Sequence, residues 1–537
     1  MGNRAVARTP EVTFRRVVKN ALRFRPDSAD NVGDMTPPGR WTTARRGAFR
    51  AVAVAGLCCV AGCTRQPPSS ATSQTLRLGS QDTPDARGVL TSLLLAEPLF
   101  SIGWHGKPMP RLATEWFWKD DGRTLQIRLR PGVKFHDGTL VTGAVVASIL
   151  RQQAKNPRTR ASEFIVNVEN PDAQTVLVKL SRPDAFLIDG IAGTLIIHPD
   201  KPDVGTGPFR LLQRSPRIEA EKNADYYRGK PGLDHVEIVT YDTPRASWAA
   251  MMRGEIDMVQ EVNRDSLEFL EGASRFITYP SIRPFYIPLV FNLRHPILGR
   301  VDVRRALAEA INRDEIVEQA MRGHGQVADD PVWPFHWAYN AGARRHTYNP
   351  SAARLRLDAA GLRVRSAGVR GTMPSRFRIQ CLFWDKGPQY ERIALLLQRQ
   401  LAAIDVDLVL ERASEDQLME AAGGGKFESF LYQMTSGKSL DWTYSFWHSG
   451  GGYQNSGYSG ADAALEQLRQ ARTDADVRAA VADLRQRFYE DAPAAFLAWP
   501  EMTRAVDARF NVGDPSDPEI LANLWRWRVG PTERAAR

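Results

Sequence analysis

Alternation of apolar and polar residues predicts several β-strands with helices between them along this chain of 537 residues. The clearest case is the segment 110–150, PRLATEWFWKDDGRTLQIRLRPGVKFHDGTLVTGAVVASIL. Leu125, Ile127 and Leu129 alternate with polar residues, as in a half-buried strand, and turn dipeptides lie on both sides. Thr142 is a suitable N-cap for a helix over the apolar positions that follow. The pattern predicts a strand–turn–strand–turn–helix module.

A second pattern, strand then helix then strand, lies further along the chain. Residues 377–383 and 406–410 alternate, whereas residues 388–403 carry apolar side chains at helical spacing. Strands in this order form a parallel pair with a right-handed crossover. Residues 301–321 predict one long helix that Asp302 caps, and residues 494–499 predict a late apolar strand. The chain is therefore expected to be a mixed α/β protein.

Residues 112–149 closely resemble the signature of the family 5 extracellular solute-binding proteins, which are receptors of ABC importers. Gly143 and Ala144 depart from that signature, because an acidic residue is common there. Four further landmarks resemble the family in the family's own order, so the resemblance spans roughly residues 75–505. These landmarks are VGTGPFRL at 204–211, NADYYRGKPGL at 223–233, GEID at 254–257 and VDVRRALAEAINRDEIV at 301–317.

The resemblance implies an α/β fold of the periplasmic-binding-protein type, a two-lobed clamshell of cluster C with an extra subdomain in the first lobe. A solute would bind between the lobes, and hinge closure would bury it. The expected boundaries are residues 76–285 and 485–537 for the first lobe, about 111–203 for its subdomain, and 286–484 for the second lobe.

The N-terminal segment has the pattern of an export and anchoring signal. Arg45, Arg46 and Arg50 precede an apolar run at 51–61, which is long enough for a signal peptide and too short for a membrane span. The run ends in small residues before Cys63, which resembles a lipobox. We therefore predict a leader at 1–62, a lipid-anchored tether at 63–75, and a location on the extracytoplasmic face of the membrane.

The length of this leader indicates that residues 1–34 are an over-extended start, because Met35 begins a stretch of ordinary signal length. Export by the general or by the twin-arginine route stays open.

Charge excludes nucleic acid as a partner of the body of the protein. The net charge is +10, but residues 1–62 hold 11 of the 71 Lys and Arg and only 4 of the 61 Asp and Glu. The rest of the chain carries a net charge of about +3, without the basic footprint that nucleic-acid binding requires. Cys381 is the one cysteine outside the leader region and alternates with apolar residues, which indicates a buried thiol.

Motif searches give no catalytic machinery. Gly437-Lys438-Ser439 ends like a P-loop, but Tyr432 occupies the position of its first glycine. The nine His are scattered, and His136 lies in a turn where a structural hydrogen bond is expected. No nucleophile elbow occurs. We therefore predict no enzyme activity, no cofactor and no metal.

Candidate binding residues follow from the resemblance. In the family's peptide binders, a second-lobe loop carries an Asp that pairs with the peptide's ammonium group. If Asp441 aligns with the family's Asp-Pro, that position falls at Gly437 or Lys438 here. A Lys there would repel an ammonium and attract a carboxylate or phosphate; a solvated loop Lys is the alternative. The candidates are Gln81 from the first lobe and Trp384, Met434, Thr435, Ser436, Lys438, Asp441 and Trp442 from the second.

The function implied by these features is a monomeric substrate-binding receptor that delivers an oligopeptide-like or other organic solute to the transmembrane subunits of an ABC permease. Two alternatives use other chemistry or other partners. One is a ligand-sensing receptor or regulator with the same binding fold. The other is a secreted hydrolase, for which no nucleophile and base can be named.

Overall fold

The computed structural model describes residues 74–155, 160–262, 264–271, 274–364, 375–451 and 455–530. The leader, Cys63 and most of the tether lie outside these residues. The strands up to residue 282 are β1 (Thr75–Gln81), β2 (Phe100–Ile102), β3 (Pro108–Pro110), β4 (Ala113–Lys119), β5 (Thr124–Leu129), β6 (Ile165–Asp172), β7 (Thr175–Leu180), β8 (Phe209–Gln213), β9 (Ile218–Lys222), β10 (His235–Tyr241), β11 (Met258–Val259) and β12 (Phe276–Ile282).

The later strands are β13 (Phe285–Phe291), β14 (Gly325–Val327), β15 (Phe377–Trp384), β16 (Val406–Ala413), β17 (Ser429–Leu431), β18 (Met434–Thr435), β19 (Ala494–Asp507), β20 (Phe510–Asn511) and β21 (Arg528–Val529). The helices are α1 (Pro84–Leu95), α2 (Gly143–Lys155), α3 (Arg160–Glu163), α4 (Leu187–Ala192), α5 (Pro244–Met252), α6 (Arg264–Glu271), α7 (Val301–Glu309), α8 (Arg313–Glu315), α9 (Pro350–Ala359), α10 (Pro388–Ala402), α11 (Glu415–Gly424), α12 (Asp441–Trp447), α13 (Asp462–Gln470) and α14 (Asp474–Asp491). A π-helical turn spans Ile316–Ala320, and 3₁₀ turns span Asp120–Gly122 and Ile520–Arg526.

Strand β19 is shared by the two halves of a 13-stranded sheet ordered β16-β15-β17-β13-β19-β11-β1-β10-β9-β8. Its first part pairs with β13, where Leu289 lies opposite Ala495. Its second part lies between β11 and β12, where Val506 faces Met258 on one side and Ile277 on the other. One continuous strand thus hydrogen-bonds to both the first half (β1 and β8–β12) and the second half (β13–β18) of the sheet.

A separate antiparallel sheet, ordered β4-β5-β7-β6, contains β5, the strand that the alternation predicted in the module at 110–150. Leu125 and Ile127 are fully buried, and the Thr142 hydroxyl accepts a hydrogen bond from the backbone N–H of Val145 (3.4 Å) at the start of α2. His136 has the predicted structural role, because its ring lies 2.9 Å from the carbonyl oxygen of Gly207. The predicted strand and helix are confirmed, but the short return strand predicted between them, at 133–135, is wrong, because the segment forms only an isolated bridge between Lys134 and Leu140.

The apolar core follows the same division. One cluster gathers buried side chains from residues 286–499, together with Phe186 from the loop before α4. A second cluster lies beneath the four-stranded sheet, within residues 99–196. Two smaller clusters fill the two faces around β1, β11 and β12. Cys381 is fully buried in the first cluster, as predicted, and burial raises the pKa of its thiol to about 12. Among the described residues, no helix combines the length and the apolar character of a membrane span.

Strands β15 and β16 are parallel with α10 between them, as the alternation predicted. The single helix predicted over 301–321 is wrong. Helix α7 ends at Glu309, and Asn312 caps the next helix by accepting a hydrogen bond from the N–H of Glu315. Asp302 lies in the first turn, and Arg300 occupies the N-cap. An internal cap residue therefore overrode the continuous apolar spacing.

Asp257 links β1 to the segment that follows β19, and its hydrogen bonds allow a test of this architecture. It is 1% exposed and accepts hydrogen bonds from the backbone N–H and the guanidinium of Arg77 (2.9–3.0 Å) and from Arg509 (2.6 Å). We predict that Asp257→Asn lowers the free energy of unfolding by about 2 kcal/mol, because two arginines lose their carboxylate partner while remaining partly solvated. Urea denaturation measures this change.

The control is Asp203→Asn, which removes an exposed ion pair with Arg214. Its urea midpoint should match that of the unaltered protein, because exposed pairs contribute little. Equal midpoints for both variants would contradict the structural role of Asp257.

Candidate functional site

Loop 436–440 is fixed to the segment that joins the two halves of the sheet. The backbone N–H groups of Ser436 and Gly437 both donate to the carbonyl oxygen of Pro284 (2.9 and 3.2 Å), which lies between β12 and β13. The Ser436 hydroxyl, fully buried, donates to the carbonyl of Pro331 (2.9 Å). Gly437 has φ +63°, and a Cβ there would lie 2.9 Å from the Trp442 ring. Only glycine fits this turn without strain.

Lys438 reaches across to the C-terminal segment. Its Nζ lies 2.6 Å from Oε1 of Glu519, just before the 3₁₀ turn Ile520–Arg526, and its side chain is 19% exposed. Partly exposed ion pairs contribute about 1 kcal/mol or less, so the contact positions the loop more than it stabilises the fold. The positive charge that was expected to attract a solute is thus balanced within the protein.

Asp441 begins α12 at the other end of this loop. Its Oδ1 accepts a hydrogen bond from the Ser439 hydroxyl (2.6 Å), and burial raises the pKa of the carboxyl above its ordinary value despite that bond. Trp442 stacks on Phe446 with ring centroids 5.9 Å apart. The loop therefore presents a cation and a carboxylate three residues apart.

Asp189 of α4 interacts electrostatically with this carboxylate and was not among the residues predicted from the sequence. The loop before α4 contacts α12 through the rings of Phe186 and Tyr444, whose centroids lie 6.0 Å apart, so the two helices are neighbours. Burial, and next the negative charge of Asp441, raises the pKa of Asp189 well above its ordinary value. No described basic side chain forms an ion pair with Asp189. A signal existed: Asp189 is the only charged residue in the apolar run 186–197.

A neighbouring ion pair shows the contrast. Asp184 and Arg469 are almost fully buried, with Oδ2 and Nη2 2.8 Å apart, and they join the loop before α4 to α13. Arg469 also lies over the rings of Phe164 and Tyr444, each 4.6 Å away. This pair is compensated and structural, whereas Asp189 and Asp441 are two acidic residues that repel each other.

The hairpin β2–β3 forms another contact with the second half. The indole N–H of Trp333 donates to the carbonyl of Trp104 (2.8 Å), and Lys107 lies over the Trp337 ring. Gly106 has φ +77°, and a Cβ there would lie 2.6 Å from the carbonyl oxygen of Lys438. Close backbone approach thus holds the hairpin against the same loop.

The remaining candidate residues differ in how far their side chains are buried. Met434, 2% exposed, belongs to the core, and Thr435 pairs with Phe285 of β13. Trp384 is 4% exposed and packs on Tyr390 and Tyr432. Gln81 is exposed at the end of β1. Ser436 and Lys438 lie in loop 436–440, and Asp441 and Trp442 begin α12 directly after it. No described hydrogen bond or ion pair joins Gln81 or Trp384 to this loop. Within the described ranges, no group of three or more His, Cys, Asp or Glu is arranged to hold a metal.

The charge arrangement at Asp189 makes a testable prediction. A carboxyl whose pKa is raised on folding stabilises the protein below its ordinary pKa of 3.8, and that stabilisation is lost as the pH rises through the higher folded value. We predict that Asp189→Asn raises the melting temperature at pH 7, and that the gain over the unaltered protein disappears as the pH falls toward 3.8. Thermal unfolding between pH 4 and pH 8 measures it.

The matched control is Asp200→Asn, an exposed carboxylate outside the site. It should give the melting curve of the unaltered protein at every pH. A loss of stability in Asp189→Asn at pH 7 would show that the carboxylate has a partner in solution.

Comparison with known proteins places these observations in a family context. Residues 107–456 match the model of the bacterial extracellular solute-binding proteins, family 5 Middle. The dipeptide-binding protein of Escherichia coli K12 is 28% identical over 421 residues, which cover 70% of this chain and 75% of that protein.

Solved structures share the fold. A putative peptide-binding protein AppA from Clostridium difficile superposes with a TM-score of 0.75 at 18% identity, over 85% of this chain and 100% of that one. NikA from Brucella suis, solved with Fe(III)-EDTA, superposes with a TM-score of 0.74 at 20% identity, over the same shares. These likenesses confirm the predicted α/β two-lobed clamshell.

Proposed function

Because the chain belongs to the family 5 bacterial extracellular solute-binding proteins, we propose that it is the substrate-binding receptor of an ABC importer. It captures an oligopeptide-like or other organic solute between two lobes and delivers the solute unchanged to the permease. The proposed lobes are residues 76–285 with 485–537 and residues 286–484, and the subdomain at about 111–203 belongs to the first.

The observation that carries this proposal is the repulsion between two neighbouring acidic residues, Asp189 from the proposed subdomain and Asp441 from the proposed second lobe. Two carboxylates at close range destabilise each other unless a cation lies between them. A solute ammonium would supply that cation and would favour the closed arrangement of the lobes, since it binds both at once. The dipeptide-binding relative supports a solute with such a group.

The solute contacts that we propose extend along the loop. Ser436, Lys438, Asp441 and Trp442 lie together there, and Thr435 precedes them in β18. Buried Met434 and Trp384 would shape the wall of the site, and Gln81 would contribute from the first lobe. Trp442, stacked on Phe446, offers a flat apolar surface for a side chain of the solute.

The proposed receptor catalyses no reaction on its solute. The sequence contains no recognisable nucleophile and base, and a receptor that closes on its solute and reopens needs neither. We further propose that the mature protein begins at a lipidated Cys63, lies on the extracytoplasmic face of the membrane, and works as a monomer.

Native mass spectrometry of the purified protein tests the receptor function. We predict that a small organic molecule co-purifies, and that X-ray scattering shows a more compact particle when this molecule is returned to the emptied protein, because closure brings the lobes together. Scattering curves that do not change with any solute, together with conversion of a peptide or glycoside into product, would contradict it.

Lipid anchoring makes a separate prediction. Radiolabelled palmitate should be incorporated into the protein in bacterial cells, and Cys63→Ser should abolish the label, because the thiol is the acceptor. Cys381→Ser is the matched control and should keep the label, since Cys381 is buried in the folded protein. Label that persists in Cys63→Ser would place the modification elsewhere.

A further inference from the structure

Five charged residues meet where β12, β13 and β19 cross, and we call them the crossing cluster: Glu261, Arg283, Lys438, Arg504 and Glu519. Lys438 pairs with Glu519 (2.6 Å), and Arg283 lies 3.7 Å from Glu261. These two pairs use both carboxylates. Arg504 is left without a carboxylate within ion-pair distance among the described residues, so the cluster carries one uncompensated positive charge.

Arg504 also has an enclosed donor without a partner. Its Nε is surrounded by protein atoms, and no described group accepts a hydrogen bond from it. Enclosed polar atoms without a partner are rare in folded proteins, because the cost of removing them from water is not offset. This donor is therefore either hydrogen-bonded to a molecule outside the chain or unpaired, in which case it lowers the stability of the fold.

The strand register places an unused acceptor beside this unused donor. Arg504 lies opposite Tyr279 of β12, and on the other side Ala505 faces Val259 of β11. Continuing the second pairing by one residue puts Gln260 next to Arg504. The side-chain oxygen of Gln260 is likewise enclosed and without a described partner. A donor and an acceptor that have no described hydrogen-bond partner thus lie in one cross-strand row. Together they form a candidate polar binding site.

The chemistry of this site favours one class of ligand group. Burial, and next the charge of Arg283, lower the pKa of Arg504 to about 10, so the guanidinium is still charged at neutral pH. A water molecule could occupy the hydrogen-bonding positions but could not balance that charge. A planar carboxylate matches the guanidinium fork with two parallel hydrogen bonds. The Gln260 oxygen would accept from an N–H or O–H group next to the carboxylate.

We propose that Arg504, with Gln260 beside it, binds the carboxylate of the transported solute. The ligand class is an organic acid with an N–H or O–H group near its carboxylate, as at the C-terminus of a peptide. This assignment rests on the proposed receptor function. Lys438 and Glu519 then hold the loop next to the bound carboxylate, and Arg283 adds to the positive potential.

The test uses the full purified protein after removal of co-purified solute. The probes are di- and tripeptides with a free carboxyl end, the same peptides with an amidated end, and neutral sugars; calorimetry measures affinity. In the unaltered protein the acids should bind about tenfold or more tightly than their amides. In Arg504→Gln this preference should vanish because the acids weaken, while affinity for the amides should change less than about twofold.

The matched control is Arg245→Gln on α5, an exposed arginine outside the crossing cluster. It should keep the preference for acids. A second readout separates a ligand site from a structural role: the emptied Arg504→Gln protein should melt at or above the temperature of the unaltered protein, because an unpaired charge is removed.

Each other outcome has a defined meaning. Equal affinity for acids and amides, a preference that persists in Arg504→Gln, or a melting temperature several degrees lower in the emptied variant would overturn the carboxylate site. Binding of sugars or amides without any binding of acids would also overturn it and would leave the receptor function intact. Failure of every solute to bind would overturn the receptor function, and the carboxylate site with it.

Discussion

The continuous hydrogen bonding of β19 is the constraint on which the rest of this structure depends. Its backbone is paired with β13 on one side of Pro500 and with β11 and β12 on the other. Neither half of the sheet can complete its ladder without this strand. The carbonyl of Pro284, at the crossing between β12 and β13, then orients loop 436–440. The groups proposed to contact a solute are therefore attached to the segments where the two halves join, and hinge motion there would move them together.

Compensated and uncompensated charges are distributed differently around this junction. Asp184 with Arg469, and Asp330 with Arg485, are buried ion pairs with short contacts, and they hold elements that are far apart in sequence. Asp189 and Arg504 have no such partner among the described residues. Uncompensated charge near the interior lowers stability, and a binding protein can retain it where a ligand supplies the missing partner. The two kinds of site are thus distinguished by the partner that each charge has.

Local pattern predicted much of the fold and little of the site. Period-2 alternation gave β5, β15 and β16, and helical spacing gave α10, because each element buries one face against its neighbours. The same reasoning ended β19 at residue 499, since Glu501 and Thr503 interrupt the apolar run; the strand continues because β11 and β12 pair with its backbone whatever its side chains are. The break after Glu309 depended on one Asn side chain.

The site was harder to predict because its contacts join residues far apart in the chain. Lys438 and Glu519 are separated by 81 positions, and no periodicity relates them. Asp189 and Asp441 influence each other because the loop before α4 contacts α12 through Phe186 and Tyr444. The sequence does contain one signal of this site, because Asp189 is the only charged residue in the apolar run 186–197. A charged residue inside an apolar segment has to be neutralised, paired or functional, and Asp189 has no described ion-pair partner. Isolated charges of this kind are therefore the first positions at which to look for solute contacts in other sequences of the family.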